Sequence, residues 1–366
     1  MTQAVTLAGL GSTTPTIVSP TLTSPVLGTP VSGSLVNCTD VNYTGFKNRI
    51  INGGMVIDQR NAGASVSING TSSYVTDRFK ITSSGGGIIS ASRSTTAPTG
   101  FVNSLSSTVS TADSSIASSD LYVIDQIIEG FNTADLGFGT ASASTVTLSF
   151  WVRSSVTGTY GVRICNGSFN RTYVSTYAIN SANTWEQKSI TIAGDTTGTW
   201  TTDNSSGIAV SWDLGSGTNW NGTGNAWQAG NVLRTSGCVN WIANAGATFY
   251  ITGVQLEKGS VATSFDYRPY GTELSLCQRY YQGDILIAVG GGATPLAINR
   301  YFYCAVNFPV PFRATPTMTI INTITSVNMN AGEWTELDAL RGYFQATNSV
   351  TNDCVLTAKS SGAAEL

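Results

Sequence analysis

The chain has no histidine, and only 11% of its 366 residues are charged, against about 25% in an ordinary soluble domain. Each shortage excludes something. Without histidine the commonest general base and metal ligand are missing, so Ser-His-Asp and Cys-His hydrolases and histidine-built zinc centres are ruled out. The net charge is -3 and no run of Lys or Arg occurs, which leaves no electrostatic footprint for nucleic acid and little attraction to anionic membranes. The six cysteines (Cys38, Cys165, Cys238, Cys277, Cys304 and Cys354) stand singly, with no C-x-x-C pair, so no zinc ribbon is expected. They read as small buried thiols. No signal-peptide pattern opens the chain and no run of about 18 apolar residues crosses it, so assembly in a cytoplasm is expected. Gly85-Gly86-Gly87 and Gly290-Gly291-Gly292 lack the lysine and following helix of a phosphate loop and read as turns.

In place of charge the chain carries Ser, Thr, Asn and Gly, a composition suited to β-rich proteins and poor for long helices. Pro15, Pro20, Pro25 and Pro30 recur every five residues within residues 1–45. That density forbids helix and interior strand and favours extended chain. The segment is either a flexible linker or a shaft and anchor that buries Ile17, Leu22 and Leu27 against copies of itself or a neighbouring protein.

Residues 46–270 read as one all-β domain, with period-2 alternation between clusters of turn residues. Val146, Leu148, Phe150 and Val152 share one face of a strand, and Trp151 and Arg153 the other. Tyr160, Val162 and Ile164 alternate likewise, as do Ile208, Val210, Trp212 and Leu214. This predicts a sandwich of two antiparallel sheets, with Trp212 in the core. Leu121–Glu129 fits helix or strand. Thr272–Gln282 reads as a short helix or turn, and residues 271–366 as a smaller β-sandwich. Its strands are expected at Asp284–Val289, Tyr301–Phe308, Pro316–Ile321, Gly342–Ala346 and Cys354–Lys359.

Three groups of motifs carry a resemblance. They are Asn48-Arg-Ile-Ile-Asn-Gly-Gly-Met-Val-Ile-Asp-Gln-Arg60 with Thr76-Asp-Arg-Phe79; Leu148-Ser-Phe-Trp-Val-Arg-Ser-Ser155 with Trp185-Glu-Gln-Lys-Ser-Ile-Thr-Ile192; and Phe249-Tyr-Ile-Thr-Gly-Val-Gln-Leu-Glu-Lys258 with Phe265-Asp-Tyr-Arg-Pro-Tyr270 and Leu276-Cys-Gln-Arg-Tyr-Tyr281. In this order they resemble tail-fibre and virion structural proteins of tailed bacteriophages. The middle domain resembles the jelly roll of carbohydrate-binding modules. The resemblance implies a non-enzymatic adhesin on the virion, tail or capsid appendage, assembled in the host cytoplasm. Its implied partners are itself, as a homotrimer, other virion proteins through residues 1–45, and host surface polysaccharide, without nucleic acid or membrane insertion. The alternatives are a decoration or structural fibre protein that binds no glycan, and a polysaccharide-degrading tailspike. No cofactor is expected. Jelly-roll sugar-binding domains often hold a structural Ca2+, but no D-x-D-x-D-G loop is present.

Sugar recognition needs exposed aromatic faces for the C–H side of a pyranose, with amides and carboxylates around them for its hydroxyls. The best local match is the Gly- and Asn-rich run 215–228. Trp220 and Trp227 would meet the ligand, and Asn219, Asn221, Asn225 and Gln228 would hydrogen-bond to it. The competing reading folds this loop back so that its tryptophans plug the edge of the core. Trp151, out of phase with its core-facing neighbours, is a further candidate. Two carboxylates would suffice for a glycosidase, but Asp195, Asp203 and Asp213 have the spacing of turn residues.

Overall fold

The computed structural model describes residues 46–291, 298–349 and 354–366. The proline repeat, Cys38 and Gly292 lie outside them. Among the described residues the chain is all-β apart from one helix and a few single-turn 3-10 segments. The strands are β1 (Val66–Asn69), β2 (Ser72–Thr76), β3 (Phe79–Ser83), β4 (Ile88–Ser94), β5 (Ser104–Thr111), β6 (Tyr122–Glu129) and β7 (Val146–Ser154). They continue with β8 (Gly158–Asn166), β9 (Arg171–Ile179), β10 (Glu186–Ile192), β11 (Ser206–Asp213), β12 (Trp227–Ala229) and β13 (Thr248–Lys258). After α1 (Tyr270–Gln278) come β14 (Tyr281–Gly291), β15 (Tyr301–Asn307), β16 (Thr317–Val327), β17 (Glu333–Thr335), β18 (Arg341–Thr347) and β19 (Cys354–Ala363).

The strands up to β13 form a jelly-roll sandwich of two antiparallel sheets, ordered β1-β4-β5-β13-β7-β10 and β12-β9-β8-β11-β6-β3-β2. Alternation decides which face of each strand turns inward. Leu148, Phe150 and Val152 from one sheet meet Tyr160, Val162, Ile164, Val210 and Trp212 from the other, all buried in a single core. Trp212 is fully buried, with the Phe150 ring edge-on at 5.6 Å. Leu121–Glu129 resolves as strand β6, because Tyr122, Ile124 and Ile128 reach that core at period 2.

The later strands form a second sandwich, with sheets β14-β19-β16 and β15-β18-β17 around Ile287, Val289, Phe344 and Leu356. Two expectations need correction. Gly290 and Gly291 belong to β14 instead of a turn. A Cβ at Gly290 would sit 2.4 Å from the Cys354 carbonyl oxygen, and one at Gly291 would sit 2.5 Å from the Phe302 ring. These are glycines of close approach within a strand. The strand expected at Pro316–Ile321 runs on to Val327, paired with β19 through two bulges.

Buried charge fastens the second sandwich to the first. The Glu129 carboxylate, 1% exposed, accepts from Arg279 Nε at 2.9 Å and from the Tyr280 hydroxyl at 2.8 Å. Arg78 lies over the Tyr280 ring, 3.6 Å from its centroid, and pairs with Glu365. Each acid finds its cation in the other region: Glu129 of the first sandwich holds Arg279, and Glu365 after the last strand of the second holds Arg78. Cys165, Cys238, Cys277, Cys304 and Cys354 are free thiols, and all but Cys304 are buried.

Candidate glycan-binding surface

The outward face of the seven-stranded sheet is covered by the chain's own loop. Arg163, Cys165, Ser211, Asp213 and Asp125 point away from the core, yet all are buried. Segment 215–240 lies over them. Arg163 donates to the Ser211 hydroxyl at 3.1 Å, to the Val232 carbonyl at 3.1 Å and to Asn231. Arg234 Nε stands 3.4 Å from Asp213, and its other nitrogens reach Asn240 Oδ1 at 2.9 Å and the carbonyls of Ser216 and Cys238. A Cβ on Gly161 would meet Arg234 Cα at 3.0 Å, so glycine there lets the loop lie flat on the sheet. Burial pushes the Asp213 carboxyl up, and Arg234 only partly offsets this. Burial likewise raises Asp125 against the pull of Arg163, and Asp125 Oδ1 has no hydrogen-bond partner among the described residues.

The loop candidates are spread over this cover. Trp220 is half-buried and donates from Nε1 to the Ser119 carbonyl at 3.2 Å. Trp227 is half-buried on the edge strand β12 and donates from Nε1 to the Ala193 carbonyl at 2.7 Å. Edge contacts with Tyr173, Trp200 and Phe138, at 5.4, 5.5 and 5.8 Å, surround Trp227. Gln228 braces the loop from within, accepting from Thr223 N at 3.0 Å and donating to Thr223 O at 2.7 Å. Asn225 has a φ of 59° and accepts from the Ser175 hydroxyl at 2.8 Å. The side chains of Asn219 and Asn221 make no hydrogen bond among the described residues; Asn219 is exposed and Asn221 half-buried. The two indoles are thus tied to separate segments, and four of the six loop residues hold the loop itself.

Asp213, Asp195 and Asp203 each accept a turn amide, from Ser216, Thr197 and Ser205 at 2.9, 3.2 and 2.9 Å. Arg171 grips Asp195 at 2.7 Å. Burial alone would raise the Asp195 carboxyl, but that guanidinium holds it below its ordinary value.

Trp151 stands elsewhere, on the outward face of the six-stranded sheet. Its cross-strand partners are Thr252 and Gln187. In the next row outward, Ser92, Ser106, Tyr250 and Arg153 lie abreast on four neighbouring strands. Tyr250 meets Trp185 at 6.1 Å and lies under the Arg153 guanidinium at 5.0 Å. On the other side of Trp151 the strand bulges at Gly253, whose φ is 60°. A Cβ there would be 2.6 Å from Phe101 Cζ and 3.0 Å from Trp151 Cδ1, so the glycine lets the two rings converge. Phe101 then packs on Phe265 at 5.0 Å and on Tyr267 at 5.6 Å. The result is an aromatic stripe running Trp185, Tyr250, Trp151, Phe101, Phe265, Tyr267. The first five are half-buried and Tyr267 is 62% exposed.

At its Tyr267 end the stripe borders a cavity of 310 Å3 lined by Val56, Phe101, Val102, Phe265, Tyr267 and, at its polar side, Arg268 and Glu273. Arg268 donates to the Ile50 carbonyl at 3.1 Å and to Glu273 at 3.3 Å. Its buried Nε has no hydrogen-bond partner among the described residues, with Asp266 Oδ2 3.9 Å away. Only Trp151 of this stripe follows from strand phase. Phe265 and Tyr267 lie in an irregular stretch, where the one available signal was two aromatics spaced i, i+2 before a proline.

No protein-family model matches the chain, and no curated protein matches it. Among solved structures it is similar to the family 11 carbohydrate-binding module from Clostridium thermocellum in complex with a β-1,3-1,4-mixed-linked tetrasaccharide (12% identity, 56% of this chain and 100% of that one, TM-score 0.29). It is also similar to the CBM22-1 xylan-binding domain from Paenibacillus barcinonensis Xyn10C (10% identity, 56% and 99%, TM-score 0.24). A third similar structure is the enzymatically active domain of tailspike protein 4 of bacteriophage CBA120 (12% identity, 58% and 21%, TM-score 0.29). At these scores the likeness reaches neither residues nor ligands.

Proposed function

We propose that this chain is a virion-attached adhesin of a tailed bacteriophage, and that it binds host surface glycans through the aromatic stripe centred on Trp151. The single observation behind the binding site is the stripe itself. Six rings form one line, with Trp151 and Tyr250 on the outward face of a sheet and the others on the segments beside it, five of them half-buried and one exposed, beside the hydroxyls of Ser92 and Ser106 and the polar heads of Gln187 and Arg153. Held rings present apolar area at little entropic cost, and the neighbouring groups suit sugar hydroxyls. The sequence resemblance is what supports the virion setting, and residues 1–45 would carry attachment to other virion proteins. In this reading Trp220 and Trp227 belong to the cover of the second sheet, as its clasps.

The second reading is a decoration or fibre protein without glycan binding, favoured by the fact that both loop indoles spend their Nε1 on the chain's own carbonyls. A glycan array, together with pull-down on host cells and purified surface polysaccharide, separates them. Retention of the wild-type chain supports the adhesin. Absence of retention on every surface favours the structural role, and shortening of the polysaccharide would make the protein a depolymerase.

A further inference from the structure

The second sandwich presents rings on an outer face of its own. Strand β15 reads Tyr-Phe-Tyr-Cys-Ala-Val-Asn. Period 2 turns Phe302 and Cys304 to the core and Tyr301 and Tyr303 outward. The two tyrosines are 56% and 62% exposed. Their ring centroids lie 6.1 Å apart and their planes within 24° of each other. Rows across the sheet β15-β18-β17 set Thr347 beside Tyr301, then Gln345 and Glu333 beside Tyr303, then Tyr343 and Thr335 beside Ala305. Gln345 donates to the Glu333 carboxylate at 2.7 Å, and Asn330 donates to the Thr347 hydroxyl at 2.8 Å. Amide, hydroxyl and carboxylate groups are thereby held next to the rings.

The composition of these rows selects their ligand. A stable protein contact centres on a desolvated apolar cluster, and none of the three rows holds an aliphatic side chain longer than alanine. A pyranose instead rests its C–H side on a ring and turns its hydroxyls to amides and carboxylates. Two rings of shared orientation, about one sugar unit apart, suit successive units of one chain. The only charge in the three rows is the Glu333 carboxylate, which repels an acidic saccharide, so the match is to a neutral one. We propose that the outward face of β15-β18-β17 is a second saccharide-binding surface, taking a neutral glycan across Tyr301 and Tyr303. It shares no residue with the Trp151 stripe and stands even if that stripe binds nothing. On a long polysaccharide the two surfaces act together, and on a short oligosaccharide each acts alone.

The test is therefore an array of short neutral and acidic oligosaccharides. It is probed with the full wild-type chain, Trp151→Ala, the double variant Tyr301→Ala, Tyr303→Ala, and the triple variant. The expected result is a set of neutral oligosaccharides that Trp151→Ala still binds, that the double variant binds at least ~10-fold more weakly, and that the triple variant does not bind. Neutral binding unchanged in a folded double variant overturns this surface and leaves the stripe untouched. Neutral binding kept by Trp151→Ala and lost wholly in the double variant supports this surface and sinks the stripe. A wild type that binds no neutral oligosaccharide overturns the proposal. If the double variant loses its β circular-dichroism spectrum, nitration of the wild type read by mass spectrometry decides. Tyr301 and Tyr303 modified more slowly in the presence of the bound neutral oligosaccharides support the surface, and unchanged modification overturns it.

Discussion

Trp212 sits at 0% exposure between two sheets, and Ile324, on an edge strand of the second sandwich, at 50%. The first sandwich encloses its apolar residues and even buries the polar outward face of one sheet beneath its own loop. The second encloses a small core and turns a whole edge strand outward. Both follow the same period-2 rule, so the difference lies in what supplies the second layer. In the first sandwich each sheet covers the other and a loop covers one outer face, whereas in the second the outer face of β14-β19-β16 stays exposed among the described residues. The first region therefore buries a much larger share of its apolar side chains than the second.

The largest expected effect breaks the closed side of this comparison. Trp212→Ala should lower the free energy of unfolding by about 3–5 kcal/mol, read from the urea midpoint, and by the same amount at every protein concentration. A loss that varied with concentration would mean that the first core is not self-sufficient. The junction comes next. Glu129→Ala strands Arg279 and the Tyr280 hydroxyl and should cost about 3 kcal/mol, with the second sandwich melting before the first in calorimetry. A single unshifted transition would show that the two regions are not joined through this carboxylate.

The smallest effect concerns pH. Burial raises the Asp125 carboxyl in the folded state, so over the window from its ordinary value up to its folded value the folded chain binds the proton more tightly than the unfolded one. Its contribution to stability is greatest below that window and declines as pH rises through it. Asp125→Asn removes the decline. The melting temperature of the variant minus that of the wild type should increase from pH 4 to pH 7, and a constant difference would contradict the raised pKa.

Strand phase read from single residues went a long way. The alternation of Val146–Arg153 and of Ile208–Leu214 placed Trp212 inside and Trp151 outside, as found. Turn chemistry was legible too, since Asp195, Asp203 and Asp213 each hold a turn amide. What the sequence could not convey was long-range juxtaposition. Phe101 and Trp151 are far apart along the chain and converge over the bulge at Gly253. Arg163 and Arg234 pin the loop 215–240 to the sheet through partners that no local pattern announces. A Gly- and Asn-rich run with two tryptophans looks the same whether it opens onto a ligand or closes over a sheet, and here it closes.

The central claim is that glycan meets the Trp151 stripe and not the Trp220 loop. Affinity electrophoresis of the wild type, Trp151→Ala, Tyr250→Ala and Trp220→Ala in gels containing host surface polysaccharide addresses it directly. The wild type and Trp220→Ala should be retarded alike, while Trp151→Ala and Tyr250→Ala should each lose most of the retardation. Retardation kept by both stripe variants and lost by Trp220→Ala would contradict it.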